Sequence, residues 1–208
     1  TRPRPGPEKI GAARLLATRH LADPLSAPIA QPVMVRHSGI HRNLDPLYNF
    51  ADRRLVKNLV RNMPLRTSAL RALGAYGNVF AIESFMDELA EATGQDPVDF
   101  RLRHLDDRRA VDVLKAAGQR MSQWGKAADG CGHGIAFAQY KNIQAYAAVG
   151  IEVEVTDDAN VRLRRAVIAA DAGQVVDPGG LTSQLEGGLI QAASWALYEE
   201  VRFERDGI

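Results

Sequence analysis

Apolar residues fall at helical spacing in the middle of the chain and at alternating spacing in its last third. Ile82, Phe85, Met86 and Leu89 stand at i, i+3, i+4 and i+7, which predicts a helix with one apolar stripe; Glu83, Asp87, Glu88 and Glu91 fall largely away from it. Asn78 is the expected N-cap, because its side chain can accept from a first-turn N–H, and Gly94 the expected stop. Asp96 followed by Pro97 opens a short second helix through Phe100 and Leu105. A third is expected from Asp107 to Gln123, burying Val111, Leu114 and Met121. The period then becomes two. Val149, Ile151, Val153 and Val155 alternate with Gly150, Glu152 and Glu154, which predicts a half-buried strand; Val161 to Ala170 reads as its antiparallel neighbour, and Ile135 to Lys141 as a third strand. Helical spacing returns from Leu181 to Glu200 through Leu185, Leu189, Ala193 and Leu197.

The expected fold class is therefore α+β: a helical layer, then antiparallel strands, then a further helix. Three stretches follow from this. Residues 1–65 form an extended, proline-rich segment with one short helix near Gly11 to Leu21; residues 66–129 form a glycine-punctuated loop and the helical layer; residues 130–208 hold the strands and the last helix. Asn43 to Phe50 reads as a turn carrying aromatic anchors. The last residues read as a strand entering a hairpin turn at Asp206 and Gly207, so a longer polypeptide is expected.

Composition narrows the function classes. The 26 basic and 25 acidic residues are spread along 208 positions and give a net charge of +1, so no polycationic field for nucleic acid is present. The single cysteine, Cys131, rules out an internal disulfide and an iron–sulfur cluster held by this chain alone. No apolar run approaches the roughly 20 residues needed to cross a bilayer, and the stretch reads as soluble. The five histidines show no metal-ligand spacing on a common helix face. Gly130 to Gly134 lacks the lysine of a phosphate loop and reads as a turn.

Two segments are candidates for chemistry. In residues 66–91 a glycine-broken loop feeds a helix N-terminus, where free N–H groups favour an anionic or oxo ligand and Arg71 adds a positive charge. Such loops are also common connectors, and a lone arginine is usually a surface ion pair. In residues 171–200, Gly179, Gly180, Gly187 and Gly188 surround Gln184, whose amide both donates and accepts. The plainer alternative has Gln184 capping a helix and the Gly187-Gly188 pair serving close packing against the sheet.

The run SALRALGAYGNVFAIESFMDELAEATGQDPVDFRLRHL within residues 66–105 resembles the large, molybdopterin-binding subunits of molybdenum hydroxylases, the xanthine dehydrogenase and aldehyde oxidase family. There an Arg-x-x-Gly loop precedes a glutamate-bearing helix and then an Asp-Pro helix. The later run DAGQVVDPGGLTSQLEGGLIQAASWALYEE is similar to the same subunit's Gln-hydrophobic-Glu-Gly-Gly region, and the finer resemblance is to isoquinoline and nicotinate oxidoreductases.

The resemblance implies a fragment of an oxidoreductase that hydroxylates N-heterocycles or aldehydes with oxygen from water. It implies Arg71, Gln184, Gly187 and Gly188 as contacts of a molybdopterin cofactor carrying molybdenum, in its cytosine dinucleotide form, and Leu73 at a substrate-facing position where relatives often have an aromatic. Leucine cannot stack as an aromatic does, which leaves heterocycle and aldehyde both open. No residue of this chain is expected to ligate the metal. The family's glutamate base lies in a Gly-x-Gly-Glu segment, and no Gly-Glu pair occurs here, so no catalytic residue is expected in this chain and the piece alone should be inactive. Expected partners are a small iron–sulfur subunit, the rest of the same large subunit and a small-molecule substrate. Some relatives are exported or tied to membrane cytochromes, which makes a membrane or periplasmic cytochrome a candidate acceptor and leaves cytoplasm and periplasm open. The rival is a non-catalytic scaffold or cofactor-holding module of the same fold.

Overall fold

The computed structural model describes residues 17, 20–24, 35–60 and 70–202. Among them, helices α1 (Ala75–Ala92), α2 (Pro97–Arg103) and α3 (Arg108–Ser122) come first. Strands β1 (Cys131–Gln139), β2 (Tyr146–Val155) and β3 (Val161–Asp171) follow, and α4 (Pro178–Leu197) ends the series. The strands form an antiparallel meander in the order β1-β2-β3. The fold is α+β, with the expected order of layers. The helix expected near Gly11 to Leu21 lies outside the described residues but for 17, 20 and 21, and so does the turn at Asp206 and Gly207.

Local chemistry sets most helix ends where the pattern placed them. Asp96 accepts from the N–H groups of Val98 and Asp99, with Pro97 at the first helical position. Asp107 does the same for Arg109 and Ala110. Gly94 takes φ +64°, and the Gln95 N–H reaches back to the Ala90 carbonyl, closing α1 with a left-handed glycine. The start of α1 departs from expectation. Gly74, not Asn78, is the N-cap, and Asn78 lies inside the first turn with its amide committed elsewhere. Leu105 is buried but stands beyond the end of α2.

One core joins α1, α2, α3 and the sheet, and α4 contributes no buried residue to it. Met86, Ala90, Phe100, Leu114, Ala117, Phe137 and Ala148 form its centre, with Ile82, Leu89, Val111 and Met121 packed against it. Tyr48, from the segment read as a turn with aromatic anchors, is 2% exposed and meets Phe50 and Phe137 edge-on. The apolar stripe of α1 is not as expected: Phe85 is 54% exposed, whereas Glu83 is buried. Glu83 faces inward because three donors meet it. Its Oε2 accepts from Arg101 Nε at 3.0 Å and from the Phe137 N–H at 2.9 Å, and its Oε1 accepts from the Tyr48 hydroxyl at 2.8 Å. Arg101, with none of its surface exposed, also donates to the Glu83 carbonyl and pairs with Asp87 at 2.7 Å. Burial pushes the Glu83 carboxyl above its ordinary value against the pull of Arg101. Burial opposes the Arg101 charge, but Glu83, Tyr48 and Asp87 together outweigh that and hold the guanidinium up.

The sheet brings two further corrections. β1 begins at Cys131, so the turn is made by Asp129 and Gly130 (φ +75°), closed by the Cys131 N–H on the Ala128 carbonyl, and residues 131–134, read as part of that turn, are already paired with β2. The strand ends at Gln139, and residues 140–142 form a separate turn. On β2 the covered face is Tyr146, Ala148, Gly150 and Glu152, and the valine face is only half-buried, with Val155 exposed. The reason is room. α3 lies against β2 and β3, and a Cβ on Gly150 would overlap the Met121 sulfur. Small residues let the helix approach, and that contact overrides the apolar alternation. Arg164 is the extra residue at a bulge opposite Glu152 and Val153.

Arg109 at the head of α3 clamps Asp171 at the end of β3 through two bonds of 2.7 and 2.6 Å, and the Gly173 N–H adds a third. The guanidinium first, then that N–H, holds the Asp171 carboxyl down from 3.8 to about 2. Because the folded value lies below the unfolded one, this contribution to stability is present above pH 3.8 and is lost as pH falls toward 2. Thermal unfolding followed down this range should show a falling midpoint. Asp171→Asn should flatten that part of the fall; an unchanged slope would show that the clamp carries none of it.

Candidate cofactor site

The loop before α1 turns on two successive left-handed residues that are not glycine, Ala72 (φ +65°) and Leu73 (φ +55°). Such backbone costs about 1–3 kcal/mol per residue and persists only where its surroundings hold it. Three backbone bonds tighten the turn: Leu73 N–H to Leu70, Ala75 N–H to Ala72 and Tyr76 N–H to Leu73. Gly74 sits directly on the backbone of Gly39 and Ile40. The turn presents Arg71 to α4.

α4 starts at Pro178 under Asp177, whose carboxylate accepts from the Gly180 N–H at 3.0 Å. Gln184 is therefore well inside the helix and does not cap it. Gly180 is needed locally, since a Cβ there would overlap the Asp177 carboxylate. Gln184, Gly187, Gly188 and Gln191 follow at i, i+3, i+4 and i+7 and so share one face.

Arg71 lies on that face. Its Nη2 donates to the Gln184 carbonyl at 2.9 Å and to Gln184 Oε1 at 3.1 Å, and its Nη1 reaches Gln191 Oε1 at 3.5 Å. A Cβ on Gly188 would stand 3.5 Å from Nη2, and one on Gly187 3.9 Å from Nη1. Tyr76 and Trp195 meet edge-on at 5.1 Å and tie α1 to α4 one turn further along. The structure thus brings Arg71 against Gln184, Gly187 and Gly188, which lie more than 110 positions later in sequence. Leu73 stands half-buried in the same loop.

The electrostatics are one-sided. Among the described residues Arg71 has no carboxylate partner, and Gln184 Nε2 makes no hydrogen bond. Gln184 Oε1 is engaged by Arg71, so the free hydrogens here are donors. Alanine would fit at both Gly187 and Gly188 without touching Arg71 closer than ordinary van der Waals contact. Each glycine costs the helix about 1 kcal/mol relative to alanine, so packing within the described residues does not account for them. The space that a Cβ would fill lies beside the free donors.

A cleft of about 790 Å³ lies elsewhere, between α1, α2, α3 and the start of β1. Asp87 on its wall is paired with Arg101, Asp96 caps α2 and Gln95 accepts from Arg103, so these three polar groups are engaged by the fold. Among the described residues no group of three or more His, Cys, Asp or Glu could hold a metal ion. Nor is any helix there long and apolar enough to cross a membrane. Sequence reasoning missed Gln191, although its place two turns after Gln184 was a usable signal. It also missed the roles of Asn78 and Glu83.

Residues 25–105 match the family model of a molybdopterin cofactor-binding domain, and residues 114–208 match a second model of the same description. Arg71 lies in the first match and Gln184 in the second, so their contact joins the two. The chain carries two molybdopterin cofactor-binding domain matches, one after the other. It is similar to a subunit of nicotinate dehydrogenase from Pseudomonas putida, 37% identical over 180 residues, which cover 78% of this chain and 15% of that protein. It is also similar to the beta subunit of isoquinoline 1-oxidoreductase from Brevundimonas diminuta, 36% identical over 139 residues, 64% of this chain and 17% of that one. A weaker likeness, 25% over 166 residues, covers 70% of this chain and 21% of a membrane-bound aldehyde dehydrogenase (pyrroloquinoline-quinone) of Gluconacetobacter polyoxogenes. The chain thus spans less than a quarter of the length of each. The resemblance drawn from the two sequence runs is borne out.

Proposed function

We propose that this chain is part of the molybdopterin-binding subunit of an oxidoreductase that hydroxylates N-heterocycles or aldehydes with oxygen from water, and that Arg71 and Gln184 hold the cofactor. The observation that carries this is the Arg71 guanidinium and the free Gln184 amide N–H beside a two-glycine gap, assembled from both molybdopterin-binding matches. Bound there, molybdopterin with its molybdenum supplies the two-electron oxidation; the cytosine dinucleotide form is part of the proposal. Arg71, held by the Gln184 carbonyl and amide oxygen, offers a fixed positive charge to an oxo or other acceptor edge. Gln184 Nε2 donates to a neighbouring acceptor, and Gly187 and Gly188 leave α4 open to close approach. Leu73 faces the substrate with an aliphatic surface, which suits either substrate class.

The chain supplies no base in this reading. Glu83, the glutamate of the α1 motif, is closed in by Arg101, Tyr48 and the Phe137 N–H. The partners proposed are a small iron–sulfur subunit, in line with the single cysteine, a membrane or periplasmic cytochrome as acceptor, and the remainder of the same large subunit. Phe80 and Phe85, 73% and 54% exposed on α1, suit burial against that remainder. The first two relatives are named as subunits of enzymes acting on nicotinate and isoquinoline, and this supports an N-heterocycle before an aldehyde.

Arg71→Ala and Gln184→Ala in the intact protein should each lower molybdenum and pterin per polypeptide by roughly tenfold, the effect of losing about 1.4 kcal/mol of binding. Their unfolding midpoints should stay close to the parent's, because both side chains are exposed. Wild-type molybdenum content in both variants would overturn the assignment. A well-folded parent without molybdenum or pterin would favour the scaffold instead.

A further inference from the structure

We propose that Asn78 is a positioning residue for the Arg71 loop, which it fixes to the turn at residues 39–42 without touching the cofactor itself. This rests on the site proposed above. Asparagine is a poor helix-interior residue, because its amide competes for backbone partners, and Asn78 stands in the first turn of α1 with Gly74 as the cap. Its two amide hydrogens both leave the helix. Nδ2 donates to the Ile40 carbonyl at 2.8 Å and to the Arg42 carbonyl at 2.9 Å, acceptors 38 and 36 positions earlier.

Those acceptors belong to a rigid base. Arg42 is buried, with Nε on the His37 carbonyl and Nη1 on the Tyr140 hydroxyl. Asn43 Nδ2 donates to the Gln139 carbonyl and its Oδ1 accepts from the Lys141 N–H. Residues 39–43 are therefore locked to the end of the β1–β2 hairpin. Gly74 lies on Gly39 at the same place, so the loop between Leu70 and Gly74 is held at its helix end by one close contact and two hydrogen bonds. The left-handed pair Ala72 and Leu73 needs such a hold, because relaxing either residue toward ordinary φ would swing Arg71 off Gln184. Asn78 is thus linked to Arg71 through the backbone of one turn.

The test uses the intact protein and measures molybdenum and pterin per polypeptide after dialysis, with the unfolding midpoint beside them. Asn78→Ala, and Asn78→Asp, which keeps the size but cannot donate to two carbonyls, are each expected to lower cofactor content roughly fivefold to tenfold while unfolding stays cooperative. In an Arg71→Ala background the same changes should have almost no further effect, because a residue that acts through Arg71 cannot act twice. Wild-type content in both Asn78 variants, or losses that multiply in the double variants, would overturn the proposal while leaving the site reading intact. Loss of cooperative unfolding in both would make the role structural and also overturn it. If Arg71→Ala itself kept full content, the site reading would fail first, and this inference with it.

Discussion

Arg101→Met is expected to destabilise the protein by about 3–5 kcal/mol, the cost of leaving one member of a buried ion pair without its partner. Arg101 has no exposed surface, and Glu83, its partner, also binds Tyr48 and the Phe137 N–H, so the variant strands a carboxylate where α1, α2 and β1 meet. The pH dependence gives the effect a signature. Burial already pushes the Glu83 carboxyl above 4.5, and removing the guanidinium takes away the largest opposing pull. A carboxyl whose folded value lies above the unfolded one keeps its contribution below the unfolded value and loses it as pH rises through the folded value. The variant should therefore be least impaired in acid and worsen toward neutrality, opposite in sense to the Asp171 clamp. Glu83→Gln combined with Arg101→Met should recover much of the loss at neutral pH, since the amide oxygen still accepts while no charge is buried. Denaturant midpoints of the single and double variants across pH check this. A single variant whose loss is the same at every pH would show that the missing guanidinium matters as volume and not as charge.

How much of this could be read beforehand depended on how local the cause was. Asp96 and Asp107 open helices and Gly94 closes one through bonds to residues within five positions, so their roles follow from spacing alone. Glu83 could not be placed that way. On a helical wheel a glutamate beside an apolar stripe belongs outside, and only Arg101, 18 residues later, together with Tyr48 and Phe137, makes the inside favourable. The covered face of β2 was hidden for a similar reason. Alternation marks the valines, but the decisive fact is that Met121 of α3 fits over Gly150. The site lies between these cases. Arg71 and Gln184 were singled out through motifs, whereas their contact across more than 110 positions and the part played by Gln191 emerge only once α4 is set against the loop.

Gly74→Ala is the second large effect expected, and it divides the loop's packing from helix propensity. Gly74 has an ordinary helical φ of −66°, so alanine is not excluded there by backbone conformation. What excludes it is the Gly39 carbonyl, which the new methyl would overlap, with the Ile40 Cα 3.3 Å away. Both are main-chain atoms, held by the Asn78 and Arg42 bonds, and cannot swing aside as a long side chain would. Overpacking of this kind costs typically about 1–3 kcal/mol, and the displaced turn should carry Arg71 away from α4 and lower cofactor content in the same variant. Gly77→Ala, three residues on in the same helix, is the matched control. A Cβ there meets nothing within 4 Å, so alanine should raise stability by about 1 kcal/mol through helix propensity alone and leave cofactor content as it was. Opposite shifts in unfolding midpoint, with molybdenum lost only from the Gly74 variant, would tie the cofactor site to the turn at residue 39. Equal tolerance of both alanines would mean that the turn yields and that Arg71 is placed from the α4 side.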